Sequence, residues 1–389
     1  MYDINIITNG LKMLNLKQKF INYRVAHYLK KANLLYVSHN YARAVKLYQK
    51  ILLLSPQHFA AYCNLATAYY EMEDYTKALP LLEHLANVDS NNPWWQTYLS
   101  KIYQNLERYQ EALDAAWKGV LISNFASEHQ INLAYSFYEI ASMKGKDSVI
   151  KKVDEFYQKC PDSGIAKQCY FSFHFDKKFT ADNPEYIEKM FDIFAPEFDK
   201  VLAGLEYDSP KQIAESLSKI LPSTGGSKII LDLGCGSGLC GQEVSQKIPF
   251  AKLIGVDISS VMLHHAASKN IYSHLIKQEI TSYLNTNNDK FDVIISSDVF
   301  TYFGALDSLF LGVANHLSQG GIFIFTISEN NLNSEDYFLH ISSRFIHQFN
   351  YVKRTLEKSG FSLLNIKRIP LRKEGDKDVV GGLFIAVKK

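Results

Sequence analysis

Hydrophobic and small residues are laid out along this chain in two rhythms, and the change falls near residue 160. In the first stretch, columns recur with a step of 34 residues: Tyr41, Tyr75 and Tyr109 keep it, and so do Ala44, Ala78 and Ala112. Ala32, Ala66, Ser100 and Ala134 form a column of small residues, preceded by Leu65, Leu99 and Leu133 in three cases. Leu35, Tyr69, Tyr103 and Phe137 form a bulky column three residues after the small one. Small residues are needed where two helices touch closely, and a step of this length holds two helices and their turns. The aromatic residues of this half therefore read mostly as helix-packing core.

The ends of the array read differently. Lys146 stands where the packing alanine of a fourth repeat is due, which makes that repeat a capping unit with a polar face. Residues 1–24 read as a solvating or capping helix at the other end. Pro56 ends the first unit, whereas Ser90 takes that place in the second and Pro93 arrives three residues late, so an altered turn is expected there.

Past the breaker clusters at 160–164 and 183–184, short β-rich runs alternate with helical stretches, the signature of a parallel sheet built from βαβ units. Residues 228–233 hold the apolar run Ile229 to Leu231, which suits a strand buried on both faces. Gly234, Cys235, Gly236, Ser237 and Gly238 follow it, and such glycines let the backbone turn sharply and approach a ligand. Residues 252–257 make a second strand ending in Asp257, a carboxylate suited to both hydroxyls of a ribose. A third strand, 275–279, ends in Glu279, which can accept from an adenine amino group. The fourth, 291–298, leads into 299–303. A turn at 317–321 precedes a fifth at 322–327, and runs at 361–369 and 379–387 close the chain.

Gly236, Gly238 and Gly241 also satisfy the GxGxxG of a dinucleotide-binding dehydrogenase. Three features argue against that class. Asp232 precedes the glycines and would repel a pyrophosphate, whereas it suits the cationic methionine end of S-adenosylmethionine. No catalytic domain follows, and the chain ends on two strands.

These motifs, in this order, resemble the class I S-adenosylmethionine-dependent methyltransferase series over roughly residues 190–389, and the 34-residue unit resembles the tetratricopeptide repeat. The segment 191–199 with Leu202, Leu205 to Tyr207 and Pro210, and the later segments 344–347, 351–352 and 371–374, resemble the bacterial methyltransferases that carry such repeats and an N-terminal lid. Two departures are the tyrosine-rich, partly degenerate repeats and the cysteines Cys235 and Cys240 in and beside the loop. The resemblance implies two domains: an all-α tetratricopeptide array (1–160), a linker and lid (161–190), and an α/β Rossmann-like domain with a mostly parallel seven-stranded sheet (191–389).

It also implies roles. Asp232, Gly234, Gly236 and Gly238 would frame the methionine moiety, Cys235 would lie within reach of the cofactor as a small loop filler, and Asp257 would bind the ribose. Ile258 and Met262 would lie against the adenine, Glu279 and Ile280 at its edge, and Ser296, Ser297 and Asp298 would close the cofactor site. Met262 serves equally as helix core. Tyr302, Arg344 and His347 are the candidates on the acceptor side, with a hydrogen-bonded helix face as their alternative. In-line transfer from a sulfonium needs no covalent enzyme intermediate, so no nucleophile motif is expected.

Composition narrows the rest. A net charge of +2 gives no electrostatic indication of a nucleic-acid partner. Five scattered cysteines suggest neither a disulfide framework nor zinc, and the histidines show no metal-ligand spacing. No apolar run reaches the roughly 20 residues of a membrane span, so a cytoplasmic protein is expected. The repeats, by their concave groove, are expected to hold a peptide or protein. The function so expected is methyl transfer to an acceptor not specified by the sequence. The alternatives are a small-molecule methyltransferase whose repeats mediate oligomerisation or partner binding, and a non-catalytic S-adenosylmethionine-binding protein.

Overall fold

The computed structural model describes residues 4–174, 183–221, 227–374 and 377–389, so residues 175–182 of the expected linker lie outside the described chain. Two compact units form, Met1–Gly145 and Lys146–Lys389. In the first, α1 (Ile4–Val37), α2 (Tyr41–Leu54), α3 (Phe59–Glu71), α4 (Tyr75–Val88), α5 (Pro93–Asn105), α6 (Tyr109–Ile122) and α7 (Ser127–Lys144) follow one another through short turns. The N-terminal residues are not a separate cap: α1 runs on into the first repeat as one helix.

The period of the sequence is a period of turns as well as of packing. His39, Glu73 and Glu107, again 34 residues apart, take left-handed φ of 58°, 58° and 57°. At each, the next N–H reaches back five residues: Asn40 to Leu35 O at 2.8 Å, Asp74 to Tyr69 O at 2.9 Å and Arg108 to Tyr103 O at 2.8 Å. This closure satisfies carbonyls at the helix end and stops α1, α3 and α5 at equivalent points. Ala44, Ala78 and Ala112 open the following helices, and they are fully buried along with Ala32, Ala66 and Ser100. At the end of the column Ala134 is half-buried, while Leu133 and Phe137 stay buried and Ser136 meets Ser100, Oγ to Oγ at 3.3 Å. Pro93 starts α5, where Asn92 caps the helix by accepting from Trp94 N at 3.2 Å. Lys146 is exposed in a short 3-10 turn.

The second unit opens with α8 (Ile150–Lys159), α9 (Gly164–His174), α10 (Pro184–Phe194), α11 (Phe198–Gly204) and α12 (Ser209–Ile220). Then come β1 (Ile229–Leu233), α13 (Leu239–Lys247), β2 (Lys252–Asp257), α14 (Ser260–Ser268), β3 (His274–Lys277), α15 (Ile280–Thr286), β4 (Phe291–Ser296) and α16 (Asp307–His316). The chain ends with β5 (Leu317–Ser328), β6 (Tyr337–Leu339), β7 (Phe345–His347), α17 (Phe349–Lys358), β8 (Phe361–Glu374) and β9 (Lys377–Lys388). Seven strands make one sheet in the order β3-β2-β1-β4-β5-β9-β8, parallel except for β9 against its two neighbours. This is the Rossmann-like class I methyltransferase topology.

Both faces of the sheet are covered, which explains the unbroken apolar runs. Ile230, Val293 and Ile295 pack with Ile213 and Leu217 of α12 and Val244 of α13. Leu231, Leu233 and Ile294 pack on the other face with Phe300, Phe310 and Phe323. The expected turn at 317–321 is instead the start of β5: Leu317 pairs with Phe291, and the register shifts before Ile322 pairs with Val293. β6 and β7 form a separate two-stranded ribbon that the sequence pattern does not signal. No helix among the described residues is long and apolar enough to cross a membrane.

Candidate functional site

In an open parallel sheet, ligand sites form at the carboxyl ends of the strands, beside the point where strand order reverses. Here that point lies between β1 and β4, and the loop after β1 occupies it. Two of its glycines are needed for different reasons. At Gly234, φ is +69° and a Cβ would stand 2.5 Å from Val299 Cγ2. At Gly236, φ is +53° and a Cβ would meet nothing within 4 Å, so this part of the loop presents bare main chain to open space.

Asp257 ties this loop to β2. Its Oδ2 accepts from Gly236 N–H at 2.8 Å and its Oδ1 from Ser259 N–H at 2.9 Å. Burial pushes its pKa up, while these backbone bonds favour the charge. Ser259 also caps α14, accepting from Met262 N at 3.0 Å.

Asp232 is buried under the loop. Expected beside the methionine end of a ligand, its side chain has 0% exposure and turns beneath the loop toward α13. The alternation of β1 forces this, since Ile230 two residues earlier points into the same layer. Tyr272 donates to Asp232 Oδ2 at 2.8 Å. Burial pushes the carboxyl up to about 7; the Tyr272 bond opposes that shift and the charge of Asp257 adds to it. Asp232 therefore lies in the floor of the loop.

The segment from α10 to Tyr207 makes side-chain contacts with the loops in turn. Glu188 pairs with Lys277 at the end of β3 at 2.9 Å. Asp192 accepts from Ser259 Oγ, after β2, at 2.6 Å. Asp199 accepts from Ser237 Oγ, after β1, and pairs with Lys269 at 2.8 Å. Tyr207 meets Ser297 Oγ, after β4, at 2.8 Å. The contacts run in the spatial order of the strands, so the segment crosses the sheet's carboxyl edge as a strap. Phe191 on the strap packs edge-on against Tyr302 with ring centroids 5.4 Å apart.

The other candidate residues separate into those at the edge and those in the core. Ile258 is half-buried beside Asp257, whereas Met262 and Ile280 are buried in their helices. Cys235 is buried against Gly255, and burial pushes its thiol well up. Glu279, expected at an adenine edge, is the N-cap of α15: its two oxygens accept from Thr281 N and Ser282 N, both at 2.7 Å. Ser296 is buried, donating to Leu233 O at 2.9 Å. Asp298, at φ +57°, pairs with the buried Arg372 of β8 at 2.8 Å. Tyr302 and Arg344 are half-buried.

His347 is a core residue, contrary to its expected place on the acceptor side. It has no exposed surface, its Nε2–H donates to Gly304 O at 2.9 Å, and burial pushes its pKa down to about 4. The unsignalled ribbon of β6 and β7 turns it inward.

Glu188 and Tyr272 lie outside the segments that carry the resemblance; Asp192, Asp199, Tyr207 and Arg372 lie within them, but the sequence does not mark their partners. Asp199 meets Ser237, 38 residues away, and Tyr207 meets Ser297, 90 residues away, and no local spacing marks such pairs. For Glu279 a signal did exist, an acid directly before a helix start.

Residues 231–323 match the family model of a methyltransferase domain, and residues 37–102 that of a tetratricopeptide repeat. The chain carries both. It is 34% identical over 101 residues to Ribosomal RNA small subunit methyltransferase C of Haemophilus ducreyi, covering 24% of this chain and 30% of that protein. With Malonyl-(acyl-carrier protein) O-methyltransferase of Bacillus anthracis the identity is 28% over 148 residues, covering 37% of this chain and 53% of the relative. The chain thus spans about a third to a half of the curated relatives it matches. A solved S-adenosylmethionine-dependent methyltransferase from Clostridium acetobutylicum aligns with TM-score 0.37 and 21% identity, over 51% of this chain and 99% of that one.

Proposed function

We propose that this protein transfers a methyl group from S-adenosylmethionine to an acceptor, and that its repeats recruit a protein substrate or partner. In this reading residues 1–160 recruit, 161–190 connect and form part of the strap, and 191–389 carry out the transfer. Asp257 carries the assignment. It stands at the end of β2 against the backbone of the glycine loop, where Gly236 leaves open space. A carboxylate there suits the two hydroxyls of a ribose, and the bare main chain of the loop suits close approach of the methionine end. The residues present therefore fit the donor.

When bound, the donor supplies an electrophilic methyl group on a sulfonium. The chain's own residues bind, orient and dry the site. Asp257 holds the ribose, with Ile258 and Met262 forming the apolar wall and Glu279 fixing the start of α15 beside Ile280. Gly234, Gly236 and Gly238 shape the loop, Cys235 fills it, and Asp232 lends it negative charge from below. Ser297 and Asp298 border the site on the β4 side, and Tyr302 and Arg344 the acceptor. The strap excludes water, which favours transfer from a preorganised pair of reactants.

Calorimetry with S-adenosylmethionine and with NAD tests the donor class, and tighter binding of NAD would overturn it. Incubating the protein with an extract and a radiolabelled methyl donor tests transfer. Counts in the protein fraction are expected, counts in metabolites alone would remove the protein acceptor, and no counts above a D257A control would leave a non-catalytic binder.

A further inference from the structure

Resting on the donor-site reading above, we propose that Tyr272 is a positioning residue of that site, holding the buried Asp232 carboxylate in place beneath the Gly234–Gly238 loop. Tyr272 follows α14 and is 40 residues from Asp232, to which its hydroxyl donates at 2.8 Å. Its ring fills space left by three glycines. A Cβ on Gly238 would stand 3.0 Å from Tyr272 Cε2, on Gly241 2.3 Å from its hydroxyl, and on Gly255 3.0 Å from its Cε1. One side chain therefore spaces the end of the loop, the first turn of α13 and the middle of β2, while its O–H fixes the carboxylate between them.

The groups facing Asp232 are the Tyr272 hydroxyl, the Asp257 carboxylate, the thiols of Cys235 and Cys240, and the Gly241 N–H. Burial pushes the phenol and both thiols well above their ordinary ranges, so they remain neutral. The phenolic O–H and the Gly241 N–H then favour the ionised carboxylate, against burial and the like charge of Asp257. An ionised Asp232 in this low-dielectric floor favours a donor of net positive charge.

The test is donor affinity by calorimetry from about pH 6 to 9 for the full chain, Y272F, D232N and the double variant. Phenylalanine keeps the ring and removes only the O–H. D232N is expected to bind S-adenosylmethionine roughly tenfold more weakly, with a flat pH profile. Y272F should lose roughly three- to tenfold, and its loss of affinity on acidification should begin at higher pH, because the carboxyl has lost a bond to its charged form. On the D232N background Y272F should change nothing further, which a merely structural role would not produce. An unchanged profile in Y272F, or an equal further loss in the double variant, overturns the positioning role. Wild-type binding by D232N instead overturns the donor-site reading of Asp232, whatever Tyr272 does. Should Y272F not fold, the unsubstituted protein decides: the Asp232 carboxyl carbon, identified by its loss in D232N, should show a solvent deuterium isotope shift from its phenolic partner, and no shift overturns the assignment.

Discussion

The ion pairs of the repeats and the polar contacts around the site differ in sequence separation. In the repeats, ion pairs such as Asp74–Lys77 and Arg108–Glu111 are exposed and three residues apart. In the second unit, the contacts around the site join residues far apart: Asp199 to Lys269, Asp298 to Arg372, Tyr207 to Ser297. Exposed local pairs contribute little, about 0–1 kcal/mol. Breaking a buried pair by removing one partner costs roughly 3–5 kcal/mol, because the other charge is left without compensation. The repeats thus rest on packing that recurs along the chain, and the site on contacts between residues distant in sequence.

That contrast predicts where substitutions do most harm. The largest effect is expected for G234A, which combines a left-handed φ with a Cβ 2.5 Å from Val299. The cost should be roughly 2–5 kcal/mol, read as a lower denaturant midpoint of the second unit; a change below about 1 kcal/mol would mean the loop relaxes freely.

Next is a pH effect at Asp232. Its folded pKa, about 7, lies above the unfolded value of 3.8, so the folded chain holds this proton more tightly. Stability from this group is complete below the unfolded pKa and is lost as pH rises through the folded one. D232N removes that loss, so its melting temperature should gain on the wild type as pH rises from about 5 to 8. A gap that stays constant would mean Asp232 does not titrate there.

D257A should weaken donor binding by about 1–3 kcal/mol, the cost of stranding buried partners, with Gly236 and Ser259 N–H both losing their acceptor. Equal affinity by calorimetry would move the ribose site elsewhere.

In the repeats, overpacking at the fully buried Ala78 tests the other side of the contrast. A78L should cost roughly 1–3 kcal/mol in the first unit's unfolding transition, with donor affinity unchanged. The smallest effect has the opposite sign. Glu107 holds φ +57°, so E107G should stabilise the array by roughly 0.5–1 kcal/mol; destabilisation would show that the glutamate side chain contributes more than its backbone strain costs.

Legibility followed the same division. The columns of alanine and tyrosine marked the packing helices, and the strand runs, the glycine loop and Asp257 marked the frame of the site. The left-handed turns at His39, Glu73 and Glu107 keep the same step, yet none is a glycine, so composition gave no sign of them. That β5 begins at Leu317 is decided by register against β4. His347 lies in a segment resembling a functional one, but β6 pairs with β7 and turns it into the core.

By itself the sequence determined the two architectures and the loop that joins β1 to α13, because periodicity, strand burial and glycine backbone freedom are local properties of a chain. Only the tertiary structure decided what lies against that loop. Asp232 is carried beneath it by strand alternation, Tyr272 is brought to Asp232 from 40 residues away, and the strap meets the strand ends in spatial rather than sequence order. These contacts are made by groups distant along the chain, and their positions are fixed only when the sheet has formed and both of its faces are covered.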